Sequence, residues 1–248
     1  MKIGIIGAGN IGSVLARKLT ALKHEVRIAN SRGPETLAGL AAATGARAVN
    51  VKDAVKDVEL VVITIPEKNV PLLPKDLFEG VPDSVVVVDT GNNYPTLRDG
   101  KMPEVEQAPS ESTWVSQKIG RPVIKVFNSI IAFSLNTEGK PPGAAGRIAL
   151  PVSGDDQQSK AVVMDLVNQL GFDPIDAGTL ENSWRHEPGT RGYCTNLTAD
   201  ELRKALSNVD RSRSKRLHKI TEEKFRTISP DSSPDELVQM VRDVQKAA

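Results

Sequence analysis

The first thirty-two residues constrain this chain more than any other stretch, because they read strand, glycine turn, helix, strand, and close on Ser31-Arg32. An apolar run of Ile3, Ile5 and Ile6 leads into Gly7-Ala8-Gly9-Asn10-Ile11-Gly12, a complete G-x-G-x-x-G. Val14, Leu15, Leu19 and Leu22 follow at helical spacing, and Val26 to Ala29 forms a second strand. In that context the three glycines serve different ends. Gly7 turns the chain, Gly9 admits a pyrophosphate to the backbone, and Gly12 lets helix and strand pack closely. The helix start adds unpaired N–H groups and the positive end of its dipole. The segment is expected to bind a dinucleotide through Gly7, Gly9, Asn10, Ile11 and Gly12. The alternative is a glycine-rich turn in an unrelated α/β protein.

Many NAD-binding chains carry an acid at the end of the second strand for the ribose 2′-hydroxyl. Here Asn30, Ser31 and Arg32 stand there, with no acid before Glu35. A guanidinium and a hydroxyl suit a 2′-phosphate, since Arg donates charge-assisted, bidentate hydrogen bonds to phosphate oxygens. Ser31 and Arg32 therefore favour NADP over NAD; otherwise Arg32 is a solvated loop arginine.

Strands alternating with helical crossovers continue through Pro34–Ala43 (helix), Ala46–Val49 (strand), Val51–Val58 (helix), Leu60–Pro66 (strand), Pro71–Gly80 (irregular helical crossover), Val85–Asp89 (strand), Ser110–Ile119 (helix) and Pro122–Phe127 (strand). The near-continuous apolar run Leu60–Ile65 is what a parallel strand covered on both faces needs. The pattern predicts an α/β fold, a Rossmann-type doubly wound parallel sheet. A proline- and glycine-rich stretch, 139–146, separates this nucleotide core (1–138) from a further strand–helix–strand unit (147–178). That unit comprises Arg147–Val152, a helix over Asp155–Leu170 with Val162, Val163, Leu166, Val167 and Leu170 on one face, and Pro174–Ala177. The whole NADP-binding domain is expected to span 1–197, and a helical C-terminal extension 198–248. Three amphipathic stripes mark the extension: Leu202/Ala205/Leu206/Val209, Leu217/Ile220/Phe225/Ile228 and Leu237/Met240/Val241/Val244. Their apolar surface predicts packing against the cleft of the same or a neighbouring subunit, and a homodimer.

The net charge of +1 gives no reason to expect nucleic acid or an anionic membrane as partner. Apolar runs are far shorter than a bilayer span, so no membrane association is expected. A single cysteine, Cys194, excludes an internal disulfide and fits a reducing compartment. With the first strand starting at Lys2 there is no room for a signal peptide before it, and the expectation is a cytoplasmic protein.

The ordered motifs Gly7–Gly12, Ser31-Arg32, Thr64-Ile65-Pro66, Phe127-Asn128-Ser129-Ile130, Val152-Ser153-Gly154-Asp155-Asp156, Ser159-Lys160 and Pro174–Ser183 resemble NADP oxidoreductases that use a deazaflavin, coenzyme F-420. The resemblance spans roughly residues 1–197, and the architecture is also similar to the cytosolic domain of membrane ferric reductases, which use NADPH and a flavin. Two positions depart from the archaeal pattern, Asn128 in place of a histidine and Thr36 in place of a lysine. The resemblance implies NADP as cofactor, F-420 or a flavin as second substrate, and hydride transfer between the two rings. It calls for no dedicated catalytic side chain, because ring-to-ring transfer depends on positioning, and with no Cys/His metal spacing in the sequence no metal is expected.

Ligands of an open α/β sheet lie outside the carboxyl ends of the strands, which points to loops 8–12, 30–32, 64–69 and 89–94, with 127–132 closing the site. Ile65 and Pro66 offer a rigid apolar wall, Asn128 an amide for the carboxamide or acceptor ring, and Ala132 the far edge; a strand end at Pro66 and a turn at Asn128 are the plain alternatives. Loop 184–194, rich in reactive and aromatic residues, either closes over the second substrate or is a packed connector. Two other functions stay open: an NADPH-dependent carbonyl or imine reductase with His186 or Tyr193 as proton donor, and an NADP-sensing regulatory protein without turnover. Cys194 reads as a small buried hydrophobe, and the basic run 211–216 as a solvated helix face.

Overall fold

The computed structural model describes residues 1–229 and 231–246. Strands β1 (Lys2–Ile6), β2 (Glu25–Ala29), β3 (Arg47–Ala48), β4 (Leu60–Ile63), β5 (Val86–Asp89) and β6 (Ile124–Lys125) form one parallel sheet in the order β3-β2-β1-β4-β5-β6. The winding reverses between β1 and β4, and this opens a crevice at their carboxyl ends. Flanking helices are α1 (Asn10–Ala21), α2 (Ala38–Thr44), α3 (Val51–Ala54), α4 (Pro103–Gln107), α5 (Glu111–Ile119) and α6 (Ala132–Thr137). Alternate strand residues point to opposite faces. Ile3, Ile5, Leu60, Val62, Val86 and Val88 meet Leu15, Ala16 and Leu19 of α1. Ile6, Val61, Ile63 and Val87 meet Ala54, Val55, Val58 and Leu77 on the other side. Each such side chain contributes roughly 1.5–3 kcal/mol on burial, so coverage of both faces is the main source of stability.

The second unit forms a sheet of its own. β7 (Ala149–Val152) and β8 (Asp173–Asp176) pair in parallel, linked by α7 (Gln157–Gln169), which buries Val163, Leu166 and Val167 in the core shared with α1. An antiparallel bridge, Lys125 to Ser153, joins the two sheets through a pair of backbone hydrogen bonds of 2.8 and 3.1 Å.

Beyond a Thr198/Glu201 capping box, α8 (Ala199–Ser207) packs Leu202 and Leu206 on Ala149 and Ile175. Next, α9 (Arg211–Thr227) crosses the Pro95–Asp99 turn, where the Glu222 carboxylate accepts from the Thr96 and Leu97 N–H groups at 2.9 and 3.2 Å. Finally, α10 (Pro234–Lys246) sets Val241 against Tyr193 and Cys194, and Arg242 donates to the Thr195 carbonyl. The tail thus packs on its own chain. No helix among the described residues is long and apolar enough to cross a membrane.

Several local expectations change. The helix expected over Val51–Val58 stops at Ala54, and Asp57 turns left-handed at φ +51°. The sixth strand is short because Phe127 sits at φ +62° and swings the chain out of the ladder. In place of a helical crossover over Pro71–Gly80, a 3-10 turn runs Glu67–Leu72, where Pro71 has no N–H to extend it. Val162 points outward from α7, and Val238 rather than Leu237 is the fully buried residue in the first turn of α10's apolar face. The basic run is not wholly solvated: Arg211 donates to the Ala108 carbonyl and lies over Trp184, and Arg213 donates to the Gln245 carbonyl.

One buried cation holds the middle of this arrangement. The Lys125 ammonium, with no solvent exposure, donates to Asp89 Oδ2 at 3.0 Å and to the Gly91 carbonyl at 2.6 Å. Lys125→Met strands the Asp89 carboxylate, and unfolding in urea should show a loss of about 3–5 kcal/mol, the scale for breaking a buried pair from one side. The double variant Lys125→Met/Asp89→Asn should recover a large part of it. Wild-type stability in the single variant would refute this role for the pair.

Candidate functional site at the carboxyl edge

The glycine turn is shaped by close contacts at two positions and open space at a third. A Cβ on Gly7, which sits at φ +117°, would stand 2.1 Å from the Thr64 carbonyl oxygen, and one on Gly12 would stand 2.0 Å from the Gly7 carbonyl oxygen. Gly9 has nothing within 4 Å of its Cβ position. Gly9 and Asn10 are exposed, Ile11 is half-buried, and α1 begins with no side chain capping its free N–H groups. This opening fits a pyrophosphate laid on the helix start.

Strand register brings the neighbouring loops to the same edge. The Gly7 N–H donates to the Ala29 carbonyl and the Thr64 N–H to the Ile6 carbonyl, so the ends of β2 and β4 flank the turn. Ser31 and Arg32 are both exposed there, and the Arg32 guanidinium has no partner among the described residues. Asn30 shapes the loop: its Oδ1 accepts from the Arg32 N–H at 2.9 Å and its amide donates to Thr36 Oγ1 at 2.9 Å. Ile65 and Pro66 are half-buried after β4, and Ala132 is half-buried at the start of α6, the helix that lies beside α1.

The Asn128 amide is engaged within the protein. Its Nδ2 donates to Asn92 Oδ1 (3.1 Å) and to the His186 carbonyl (2.9 Å), while its Oδ1 lies 3.0 Å from His186 Nδ1. With its polar atoms engaged and the residue buried, Asn128 ties the 92 and 186 segments together. The amide oxygen can only accept, which assigns the proton to His186 Nδ1 and leaves Nε2 to accept from Ser153 Oγ at 2.9 Å. Burial, aided by the Lys125 charge, pushes the His186 pKa down to about 3. His186 is thus neutral and enclosed, joined to Asn128 and Ser153. Tyr193 is likewise sealed, its hydroxyl paired with that of Tyr94 and its ionisation pushed up by burial. Cys194 is buried as expected, with burial raising its thiol to about 12.

Behind this edge lies a charged cluster that the sequence did not announce. Asp89 also accepts from Ser112 Oγ at 2.6 Å, which ties the end of β5 to the start of α5. Glu67, directly after Pro66, is fully buried; its Oε2 accepts from Arg98 at 3.2 Å, and burial raises its pKa to about 8. Burial also raises Glu111 and Glu187, and Glu187 accepts from the Glu111 N–H at 2.8 Å. Burial alone would discharge Lys125, but the Asp89 carboxylate paired with it outweighs that and holds the ammonium charged. A lysine inside the apolar strand 122–127 was the available signal, since a buried ammonium demands a partner.

Two measurements check this geometry. Gly9→Ala should leave stability within about 0.5 kcal/mol yet weaken NADPH binding in a fluorescence titration, whereas Gly12→Ala should cost about 1–3 kcal/mol through overpacking. Undiminished NADPH binding by Gly9→Ala would remove the pyrophosphate assignment. His186, unfolded at 6.5 and folded at about 3, contributes stability present above pH 6.5 and lost as pH falls toward 3. The slope is about 1.4 kcal/mol per pH unit. His186→Gln should flatten the acid limb of the urea midpoint by that amount; matching slopes would show that the imidazole is not held neutral.

Residues 2–93 match the family described as NADP oxidoreductase, coenzyme F420-dependent. A solved structure of the hypothetical protein SMa0349 from Sinorhizobium meliloti is 32% identical, covering 81% of this chain and 96% of that one with a TM-score of 0.66. A candidate F420-dependent NADP reductase from Arthrobacter sp. FB24 is 25% identical, covering 74% of this chain and 86% of that one with a TM-score of 0.60. Among curated proteins, metalloreductase STEAP3 of Rattus norvegicus is 25% identical over 185 residues, 73% of this chain and 35% of that protein. The chain spans about half or less of the length of the curated relatives it matches. With a Rossmann-type sheet, the glycine turn at its switch point and these likenesses together, the chain belongs to the family of NADP oxidoreductases described as coenzyme F420-dependent.

Proposed function

We propose that this protein binds NADP(H) across the carboxyl edge of β1, β2 and β4 and transfers hydride between it and a deazaflavin- or flavin-type ring. The observation that carries the reading is the pair Ser31 and Arg32, exposed at the end of β2 with the guanidinium unengaged among the described residues, beside the open face of Gly9. In this reading α1's N–H groups hold the pyrophosphate, Arg32 and Ser31 hold the 2′-phosphate, and Ile65 with Pro66 backs the nicotinamide. When bound, the cofactor supplies the hydride. The protein's part is to hold two flat rings in register and keep water from between them, which is positioning work. The neutral, enclosed His186 and the paired hydroxyl of Tyr193 fit that role better than acid catalysis on a carbonyl. The family's description and the F420-linked Arthrobacter structure support the choice of acceptor.

Arg32→Ala should weaken NADPH binding by about 1.5–3 kcal/mol, the scale of hydrogen bonds to a charged group, with NADH almost unaffected. Equal losses for the two nucleotides would show that Arg32 does not read the 2′-phosphate. In steady-state assays NADPH should be oxidised by a deazaflavin or a flavin and not by a panel of carbonyls and imines. The opposite pattern would replace this reading with a carbonyl or imine reductase, and tight NADPH binding with no turnover would leave a regulatory sensor.

A further inference from the structure

Between α9, the start of α5 and the 184–188 segment lies a cavity of about 720 Å³, and none of the residues assigned to the dinucleotide lines it. Its rim carries Lys101, Lys215, Arg216 and Lys219, all exposed and none held in an ion pair among the described residues. The exposed acid among the lining residues is Glu106. The inner wall has the opposite sign. Glu111 and Asn93 are 7% and 4% exposed, and each keeps one oxygen, Oε2 and Oδ1 respectively, without a hydrogen-bond partner. Buried polar atoms are rarely left in that state. Glu187 stands beside Glu111 and accepts its N–H, and neither carboxyl group is in an ion pair among the described residues. Lys125, the buried cation of this region, is committed to Asp89. Trp184 supplies an apolar flank.

Unpartnered acceptors inside and unpaired cations at the rim of one cavity call for a molecule of the reverse polarity. A primary ammonium has three donors and no acceptor, which is what the free oxygens of Glu111 and Asn93 lack. A carboxylate is what the rim cations lack. We propose that this cavity binds a small zwitterion, with its primary ammonium held on Glu111 and Asn93, an apolar middle against Trp184, and its carboxylate among Lys215, Lys219 and their basic neighbours. The volume lies within the range of small-molecule sites, roughly 300–1,000 Å³. Cations at the rim raise the local concentration of anions, and the acidic wall then retains those that carry a positive group at the far end. This ligand is separate from the dinucleotide and from any ring that exchanges hydride with it, so the inference stands apart from the hydride-transfer reading.

Trp184 in the wall provides a readout that does not depend on turnover. The probes are 4-aminobutanoate, 6-aminohexanoate and 8-aminooctanoate, each compared with the amine and the carboxylate of the same chain length, titrated against the full chain at low salt. At least one zwitterion should change the tryptophan emission saturably, with a Kd about tenfold below that of either half-molecule, the scale of two screened charge contacts. Lys215→Glu/Lys219→Glu, on the exposed face of α9, should erase the preference over the amine and leave NADPH affinity unchanged. Glu111→Gln should erase the preference over the carboxylate, and Trp184→Phe should remove the signal. Saturating NADP+ should leave the titration as it was. Equal affinity for zwitterions and their halves, an unaltered preference in the charge-reversed variant, or no saturable change with any of the three lengths overturns the proposal. A signal that survives in Trp184→Phe, or a probe displaced by NADP+, puts the ligand elsewhere and overturns it as well.

Discussion

A lysine ammonium sealed from water between β5 and β6 has to be neutralised where it stands, and the second half of the fold is organised around how that is done. Lys125 spends its side chain on Asp89 and the Gly91 carbonyl, and its backbone on Ser153. Asp89 in turn takes the Ser112 hydroxyl and the Gly91 N–H. Through these few atoms the end of β5, the start of α5 and the small second sheet are fixed to one another. Asn128, His186 and Ser153 extend the network, so the segment before the helical tail is hung from the same point.

The two halves of the carboxyl edge therefore use different physics. Around β1, β2 and β4 the shape is set by steric contact: backbone against backbone at Gly7 and Gly12, with space left at Gly9. Around β5 and β6 it is set by charge, with Glu67, Glu111 and Glu187 pushed toward their neutral forms by burial near the Lys125 ammonium. A dinucleotide needs the first kind of surface, since its phosphates bind to main-chain donors. The second kind fixes the ends of β5 and β6 to the segments behind them through a charge pair and hydrogen bonds.

This division explains what the sequence revealed. The first half of the sheet, with its G-x-G-x-x-G and Ser31-Arg32, was legible because local order and short-range sterics define it, and apolar runs announced strands buried on both faces. Lys125, Glu67 and Glu111 were not legible as a cluster because they lie in separate segments and meet only through topology. Asn128 was placed correctly at a strand end, but an amide's partners are a tertiary matter, and His186 and Asn92 took them. Boundaries slipped where single residues adopt left-handed backbone, as at Asp57 and Phe127, which no periodicity signals.

The position of β1 between β2 and β4 bears on how the chain acquires this structure. Ile3 is paired with Val26 on one side and with Leu60 on the other. The glycine turn thus rests on a strand that stays half-paired until β4 arrives, and its own geometry depends on the Thr64 carbonyl behind Gly7. The glycine turn, although it is encoded in one short stretch, is therefore complete only when β4 is docked, and a dinucleotide bound there would favour the docked β4.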